Sequence, residues 1–123
     1  MECIFTLLAF KCLYPTALHL ARGNHESKSM NRIYGFDGEV KSKYNDSMAD
    51  LFSEVFCHLP LAHVLNSRVF VVHGGLFGTD GVKLDDIRKV NRVREPPDEG
   101  TPSMGDARGG GQGRQLRWRG VQG

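Results

Sequence analysis

The sequence has few cysteines and no paired-cysteine motif. Its 123 residues include only three, Cys3, Cys12 and Cys57, and none of them has Cys-x-x-Cys spacing. Disulfide frameworks usually use an even number of cysteines, and zinc or redox motifs use closely spaced ones. We therefore expect Cys3 and Cys57, which lie among apolar neighbours, to pack as small hydrophobic residues. We also expect a reducing intracellular location, in the cytoplasm, the nucleus or both.

A long hydrophobic run is missing as well. The most apolar stretch, from Ile4 to Tyr14, contains Lys11 and is preceded by Glu2. A membrane-spanning helix needs about 20 apolar residues, and a signal peptide begins with positive charge. We therefore expect a buried amphipathic helix that ends before Pro15, and no association with a membrane.

The chain as a whole also has little excess of one sign of charge over the other. The 16 basic and 14 acidic residues give a formal net charge of +2, and 40% of the residues are hydrophobic. This composition excludes disorder throughout and a protein that coats a polyanion. Residues 101–123, however, contain four arginines, one aspartate and seven of the 15 glycines. The chain therefore divides into about 100 folding residues and a basic, glycine-rich tail that we expect to be disordered.

Hydrophobic periodicity predicts a mixed α/β fold. Residues 16–21 alternate like a strand, and residues 61–65 and 68–72 are typical of a hairpin with Asn66-Ser67 at its turn. Because residues 68–72 are mostly apolar, we expect both faces of that strand to be buried. In the clearest helical pattern, Leu51, Phe52 and Phe56 are expected in the core. The predicted helices cover residues 27–33, a stretch that starts at 39, residues 47–56 and residues 82–90.

Polar residues follow two of the predicted strands. Arg22-Gly23-Asn24-His25-Glu26 follows the first, and His73-Gly74-Gly75 follows the last. Loops at the carboxyl ends of adjacent strands often build the site of an open α/β sheet, so Asn24 and His73 could converge. An amide oxygen and an imidazole nitrogen suit manganese, iron or zinc better than calcium, and the glycines allow close approach of the backbone. A histidine at a strand end is more often structural, and the residues alone leave both interpretations open.

Several ordered motifs resemble the phosphoprotein phosphatase family of metal-dependent serine/threonine phosphatases. They are Arg22-Gly23-Asn24-His25-Glu26, Met30-Asn31-Arg32-Ile33-Tyr34-Gly35-Phe36 and His73-Gly74-Gly75-Leu76-Phe77. Residues 35–40 and 80–88 are most similar to the type that carries a tetratricopeptide domain. The resemblance implies a calcineurin-like metallophosphoesterase fold, with a mixed β-sandwich core flanked by helices. Residues 1–100 would be the central part of that catalytic domain, truncated at both ends.

The resemblance also implies roles for single residues. Asn24 and His73 would bind one of two adjacent divalent metal ions, manganese or iron and zinc, and His25 would be the general acid. The substrates would be proteins that carry phosphoserine or phosphothreonine. Tyr34 matches a residue near the substrate groove, although a half-buried packing tyrosine is an equal alternative. The supporting residues of the two loops would be Glu26, Gly23, Gly74 and Gly75.

Parts of the family pattern are not found in these residues. The two aspartate motifs that complete the binuclear centre are missing, and residues 101–123 stand where a second arginine and a last histidine ligand are expected. The chain holds two of about six ligands, both for the same metal, so we expect it to be inactive or nearly inactive alone. A regulatory tetratricopeptide region is not expected within this chain.

Two other interpretations stay open. The chain could be a non-catalytic module that binds proteins or RNA, because arginines and one tryptophan among glycines can contact RNA through charge and stacking. These tail residues are Arg108, Arg114, Arg117, Trp118 and Arg119. Four arginines without a regular repeat make nucleic-acid binding the weaker prediction. The abrupt change near residue 100 is also typical of an incomplete gene model, such as a translated intron.

Overall fold

The computed structural model describes residues 1–74 and 81–96, which form five α-helices and one two-stranded sheet. The elements are α1 (Glu2–Leu13), α2 (Lys28–Ile33), α3 (Phe36–Lys43), α4 (Asp46–His58), β1 (Ala62–Leu65), β2 (Val69–Val72) and α5 (Leu84–Arg88). The predicted mixture of helices and strands is confirmed. Gly75 and the predicted tail at 101–123 lie outside the described residues. In the part that is described, no helix combines the length and the apolar character needed to cross a membrane.

Helix α1 forms where the apolar stretch predicts it and ends before Pro15, whose ring disfavours helical backbone in the residue before it. The prediction that this helix is buried is wrong. Its apolar residues surround the helix axis, so only one side, with Ile4 and Leu8, packs against the core, and Leu13 is 68% exposed. Cys3 on this helix is exposed, whereas Cys57 is buried. The expectation that cysteines pack as hydrophobic residues is therefore correct only for Cys57.

Local side-chain chemistry explains where the next helices begin. The hydroxyl of Ser27 accepts a hydrogen bond from the Met30 amide at 3.3 Å, which caps α2. The side chain of Asn45 accepts one from the Met48 amide at 2.9 Å, which caps α4. Helix α3 begins after Gly35, whose φ of 84° lies in the left-handed region. The helix thus starts three residues before the predicted position, because Gly35 and not Gly38 is the break.

The core lies among α1, α3 and α4. Val40 is fully buried, and Phe52 and Phe56 are each 3% exposed. The buried side of α4 also includes Ala49, Ser53 and Cys57. Leu51 is 51% exposed, so its assignment to the core is wrong. It lies about 100° around the helix from Phe52 and therefore faces away from α3.

Strands β1 and β2 form the predicted antiparallel hairpin, in which Ala62 pairs with Val72 and Leu65 pairs with Val69. Asn66 and Ser67 have φ of 49° and 53°, as the two central residues of a type I′ turn require. The prediction that both faces of the second strand are buried is wrong. Its residues Val69, Phe70 and Val71 are 54%, 43% and 42% exposed, because no described element covers them.

The strand predicted at residues 16–21 is not present. Residues 18–23 have no regular secondary structure and no strand ladder. This segment is attached to the chain just before β1 by the Arg22 amide, which donates to the Pro60 carbonyl at 2.8 Å, and to β1 itself by the His63 ring, which contacts the Leu20 carbonyl at 2.9 Å. A strand assignment needs repeated backbone pairing, and these two bonds do not supply it.

Candidate functional site

The side chains of Asn24 and His73 meet at the surface. The Asn24 Oδ1 atom lies 3.2 Å from the His73 Nε2 atom, although the residues are 49 positions apart in the chain. Asn24 lies in the turn after residues 18–23, and His73 directly follows β2. The structure therefore brings together the two residues that the sequence singled out as metal ligands. Their role as ligands stays a prediction.

The hairpin register explains why these residues meet. Because Ala62 pairs with Val72, His73 lies opposite the residue that precedes Ala62. The hydrogen bond from the Arg22 amide to the Pro60 carbonyl, at 2.8 Å, places the start of the polar turn beside the same stretch of chain. The residues just before β1 therefore lie beside both the end of β2 and the turn that begins at Arg22. Asn24 and His73 meet in this way without a parallel sheet.

Gly23 allows the two segments to approach closely. A Cβ atom at this position would overlap the Glu26 Oε2 atom and would lie 3.2 Å from the His73 Nε2 atom. The Glu26 carboxylate and the His73 imidazole therefore flank one point at the surface of the turn. At Gly74 a Cβ atom would meet no atom of the described residues within 4 Å.

His25 lies in the same turn and stacks on Tyr34. The centres of their rings are 4.3 Å apart and the ring planes differ by 24°. Tyr34 is 64% exposed, which is more than the alternative of a half-buried packing tyrosine predicts. The contact instead places an aromatic surface beside the proposed general acid. Sequence reasoning had named both residues without predicting that they touch.

The Asn24 and His73 donors have a spacing that suits a shared metal ion. Metal–ligand distances of about 2.0–2.2 Å place the donor atoms of neighbouring ligands roughly 3.0–3.5 Å apart. The observed separation of 3.2 Å, at which the two side chains form a hydrogen bond, lies within this range. Among residues 1–74 and 81–96, however, there is no group of three or more histidine, cysteine, aspartate or glutamate side chains that could hold a metal. Among the described residues of this site, Asn24 Oδ1 and His73 Nε2 are therefore two candidate metal donors.

Sequence reasoning missed the role of Arg22, whose side chain is only 6% exposed. Its Nε and Nη2 atoms donate to the Glu26 carbonyl at 2.9 and 2.7 Å. Its Nη1 atom donates to the Arg94 carbonyl at 3.0 Å and to the Arg92 carbonyl at 3.5 Å. Arginine is seldom buried, so its place at the head of a polar turn gave no reason to expect this network.

Glu95 and Cys57 complete the surroundings of Arg22. The Glu95 Oε1 atom lies 3.8 Å from Arg22 Nη2 and accepts a hydrogen bond from the Cys57 thiol at 3.3 Å. Its Oε2 atom accepts one from the Lys28 amide at 2.8 Å. Burial, followed by the hydrogen bond to Glu95, raises the pKa of the Cys57 thiol. The thiol is therefore protonated at neutral pH and can act as a donor.

Two surface cavities lie away from this site. One is polar, has a volume of about 50 Å³ and lies among α2, α3 and α4. The other is mainly apolar, has a volume of about 240 Å³ and lies between α1, α4 and the start of β1. Neither is lined by Asn24, His25 or His73. Asn24, His25 and His73 are all exposed.

Known proteins are similar to this chain in sequence. The family model for calcineurin-like phosphoesterases matches residues 1–119. Serine/threonine-protein phosphatase 5 of Arabidopsis thaliana is 67% identical over 100 residues, which are 81% of this chain and 19% of that protein. The protein of the same name from Homo sapiens is 61% identical over 100 residues, which are 81% of this chain and 20% of that protein.

A solved structure also matches. It is a protein serine/threonine phosphatase from Saccharomyces cerevisiae that is described as similar to human phosphatase PP5. It has a TM-score of 0.75 and 39% sequence identity, and the match covers 80% of this chain and 31% of that one. The chain spans about a fifth of the length of the curated relatives named above. The predicted boundary near residue 100 lies outside the described residues and stays a prediction.

Proposed function

The chain belongs to the calcineurin-like phosphoesterase family, as its motifs predicted, and we propose that it is part of a metal-dependent protein serine/threonine phosphatase. The predicted fold class is confirmed by the same matches. The proposed reaction is hydrolysis of phosphoserine and phosphothreonine monoesters in proteins. The observation that carries this proposal is that Asn24 Oδ1 lies 3.2 Å from His73 Nε2, and that Asn24 shares its turn with His25.

Asn24 and His73 would together hold one divalent metal ion. Their amide oxygen and imidazole nitrogen suit manganese, iron or zinc, and the spacing of the two atoms supports a shared ion. When bound, such ions supply Lewis-acid stabilisation of phosphate oxygens and an activated water. Membership of the family supports divalent-metal chemistry, and the identity of the ion is part of the proposal.

His25 would donate a proton to the serine or threonine oxygen that leaves phosphorus. Histidine suits proton transfer near neutral pH, and this ring lies at an exposed position next to Asn24. Stacking on Tyr34 restricts rotation of the imidazole and would orient it toward the substrate. The exposed ring of Tyr34 would then line the place where the substrate protein binds.

We further propose that this chain alone hydrolyses phosphoesters slowly or not at all. A binuclear centre needs anionic ligands to balance two divalent cations, whereas the candidate donors that meet among the described residues are an amide oxygen and an imidazole nitrogen. We also propose an intracellular location, because three cysteines without a paired-cysteine motif are not typical of a disulfide framework.

Manganese binding tests the proposed ligands without requiring turnover. We expect Mn²⁺ to broaden the NMR signals of Asn24 and His73 first, and His73→Ala to weaken this binding at least tenfold. His58→Ala is the matched control because His58 is an exposed histidine outside the site. Equal Mn²⁺ binding by wild type and His73→Ala would overturn the metal assignment.

Hydrolysis of a phosphorylated peptide by the purified chain in the presence of Mn²⁺ tests the proposed inactivity of the chain and the proposed role of His25. We expect negligible turnover. Turnover that disappears in His25→Ala would overturn the proposed inactivity of the isolated chain and would support the role of His25. Turnover that is unchanged in His25→Ala would contradict that role.

A further inference from the structure

The turn that carries Asn24 and His25 is fixed at both of its ends by one residue. The Arg22 amide donates to the Pro60 carbonyl at 2.8 Å and fixes the first end. The Arg22 guanidinium donates twice to the Glu26 carbonyl, at 2.9 and 2.7 Å, and fixes the second. Asn24 and His25 lie between these two attachments, so their backbone is part of a ring closed by the Arg22 side chain.

The guanidinium has a hydrogen-bond acceptor for each of its five N–H donors. Besides the two bonds to Glu26, Nη1 contacts the Arg92 and Arg94 carbonyls at 3.5 and 3.0 Å, and Nη2 contacts the Cys57 sulfur at 3.7 Å. Lysine carries three donors on one nitrogen and cannot reach acceptors in this forked arrangement. This position therefore requires the forked donor geometry of the arginine guanidinium in addition to its positive charge.

Arg22 also connects the turn to a segment about 70 residues away. The carbonyls of Arg92 and Arg94 bind its guanidinium, and the Glu95 carboxylate binds both the Cys57 thiol and the Lys28 amide. Lys28 begins α2, the helix that leads to Tyr34. The segment from Arg92 to Glu95 thus contacts the Arg22 guanidinium, which closes the turn. It also contacts the start of α2, and Tyr34 at the end of α2 stacks on His25.

We propose that Arg22 is a positioning residue that holds Asn24 and His25 in their site conformation and couples that conformation to the segment from Arg92 to Glu95. This inference rests on the proposed function, because it assigns to Arg22 the placement of a proposed ligand and the proposed acid. All the guanidinium donors bind protein atoms, so Arg22 itself would touch neither the substrate nor the metal. Its effect passes through the Glu26 carbonyl and the backbone of the turn.

The test compares Arg22→Lys with Arg88→Lys in the full chain. Arg88 is the matched control because it is exposed and pairs only with nearby Asp85 among its described partners. In metal-free protein we expect Arg22→Lys to shift the His25 ring signals toward unstacked values while the Phe52 and Phe56 signals stay in place. Arg88→Lys should change neither set. Unchanged His25 and His73 signals in Arg22→Lys would overturn the proposal.

A second measurement adds Mn²⁺ to the same proteins. We expect Arg22→Lys to weaken binding at Asn24 and His73 about tenfold and Arg88→Lys to have no effect. The metal-free spectra test Arg22 alone, whereas absence of Mn²⁺ binding in wild type would contradict the proposed function alone. The two failures can therefore be told apart.

If Arg22→Lys does not fold, Glu95→Gln tests the proposed coupling instead. This variant keeps the carbonyl partners of Arg22 and removes the charge that faces its guanidinium. We expect smaller shifts of the His25 and Tyr34 signals in the same direction. If those signals match wild type, the coupling to the segment from Arg92 to Glu95 is wrong.

Discussion

The helical core and the site region of this chain are held together by different forces. In the core, Val40, Phe52 and Phe56 are almost fully buried and the aromatic rings contact one another. In the site region, the β1–β2 hairpin is largely exposed, and the turn beside it is held by the polar contacts of Arg22. Apolar burial therefore fixes the first region, and directional hydrogen bonds fix the second. Substitutions in the two regions should consequently affect different properties.

The largest effect on stability is expected in the core. Phe52→Ala should lower the free energy of unfolding by about 3 kcal/mol, because it removes a ring that contacts Phe5, Phe36 and Phe56. Leu51→Ala is the control, since Leu51 is 51% exposed, and it should cost about 1 kcal/mol or less. Urea denaturation measures both values. Equal losses would show that the buried side of α4 is assigned wrongly.

Gly23→Ala should disturb the site more than the fold. The added methyl group would displace the flexible Glu26 carboxylate and crowd the His73 ring. We expect a stability loss of about 1 kcal/mol, together with a shift of the His73 ring signals in NMR spectra. Unaltered His73 signals would contradict the close approach of the two segments.

Gly38→Ala, in the helical region, should raise stability, whereas Gly23→Ala should lower it. Gly38 lies within α3 without positive φ, and a Cβ atom there would meet nothing within 4 Å. Alanine should therefore raise the free energy of unfolding by about 0.5–1 kcal/mol, because glycine is a poor helix former. A loss of stability, measured in the same urea experiment, would show that α3 does not tolerate a side chain at this position.

The smallest effect is expected from surface charge. The hydrogen bond from Lys43 is the main cause that lowers the pKa of Glu2 from 4.5 to about 2. Because the pKa is lower in the folded state, the pair stabilises the fold above pH 4.5 and loses this contribution as the pH falls toward 2. Glu2→Gln should therefore show a weaker loss of stability between pH 6 and pH 3 than wild type. Identical pH profiles in thermal unfolding would exclude a contribution from this pair.

Local patterns predicted most of the elements correctly. Helix α4 and the hairpin depend on helical spacing, on a capping asparagine and on the Asn66-Ser67 turn, and these are properties of neighbouring residues. The errors concern burial and pairing. Leu51, Cys3 and the outer residues of β2 were expected to be buried but are exposed, because apolar character does not say whether another element will cover a residue.

The sequence by itself determined the family and the candidate residues, because motifs such as Arg22-Gly23-Asn24-His25-Glu26 combine particular residue types in a particular order. Only the tertiary structure decided that Asn24 touches His73, that His25 stacks on Tyr34 and that Arg22 is buried beneath the turn. These contacts join residues far apart in the chain or depend on side-chain packing. They follow from the hairpin register and from hydrogen-bond geometry in three dimensions, which local sequence patterns do not encode.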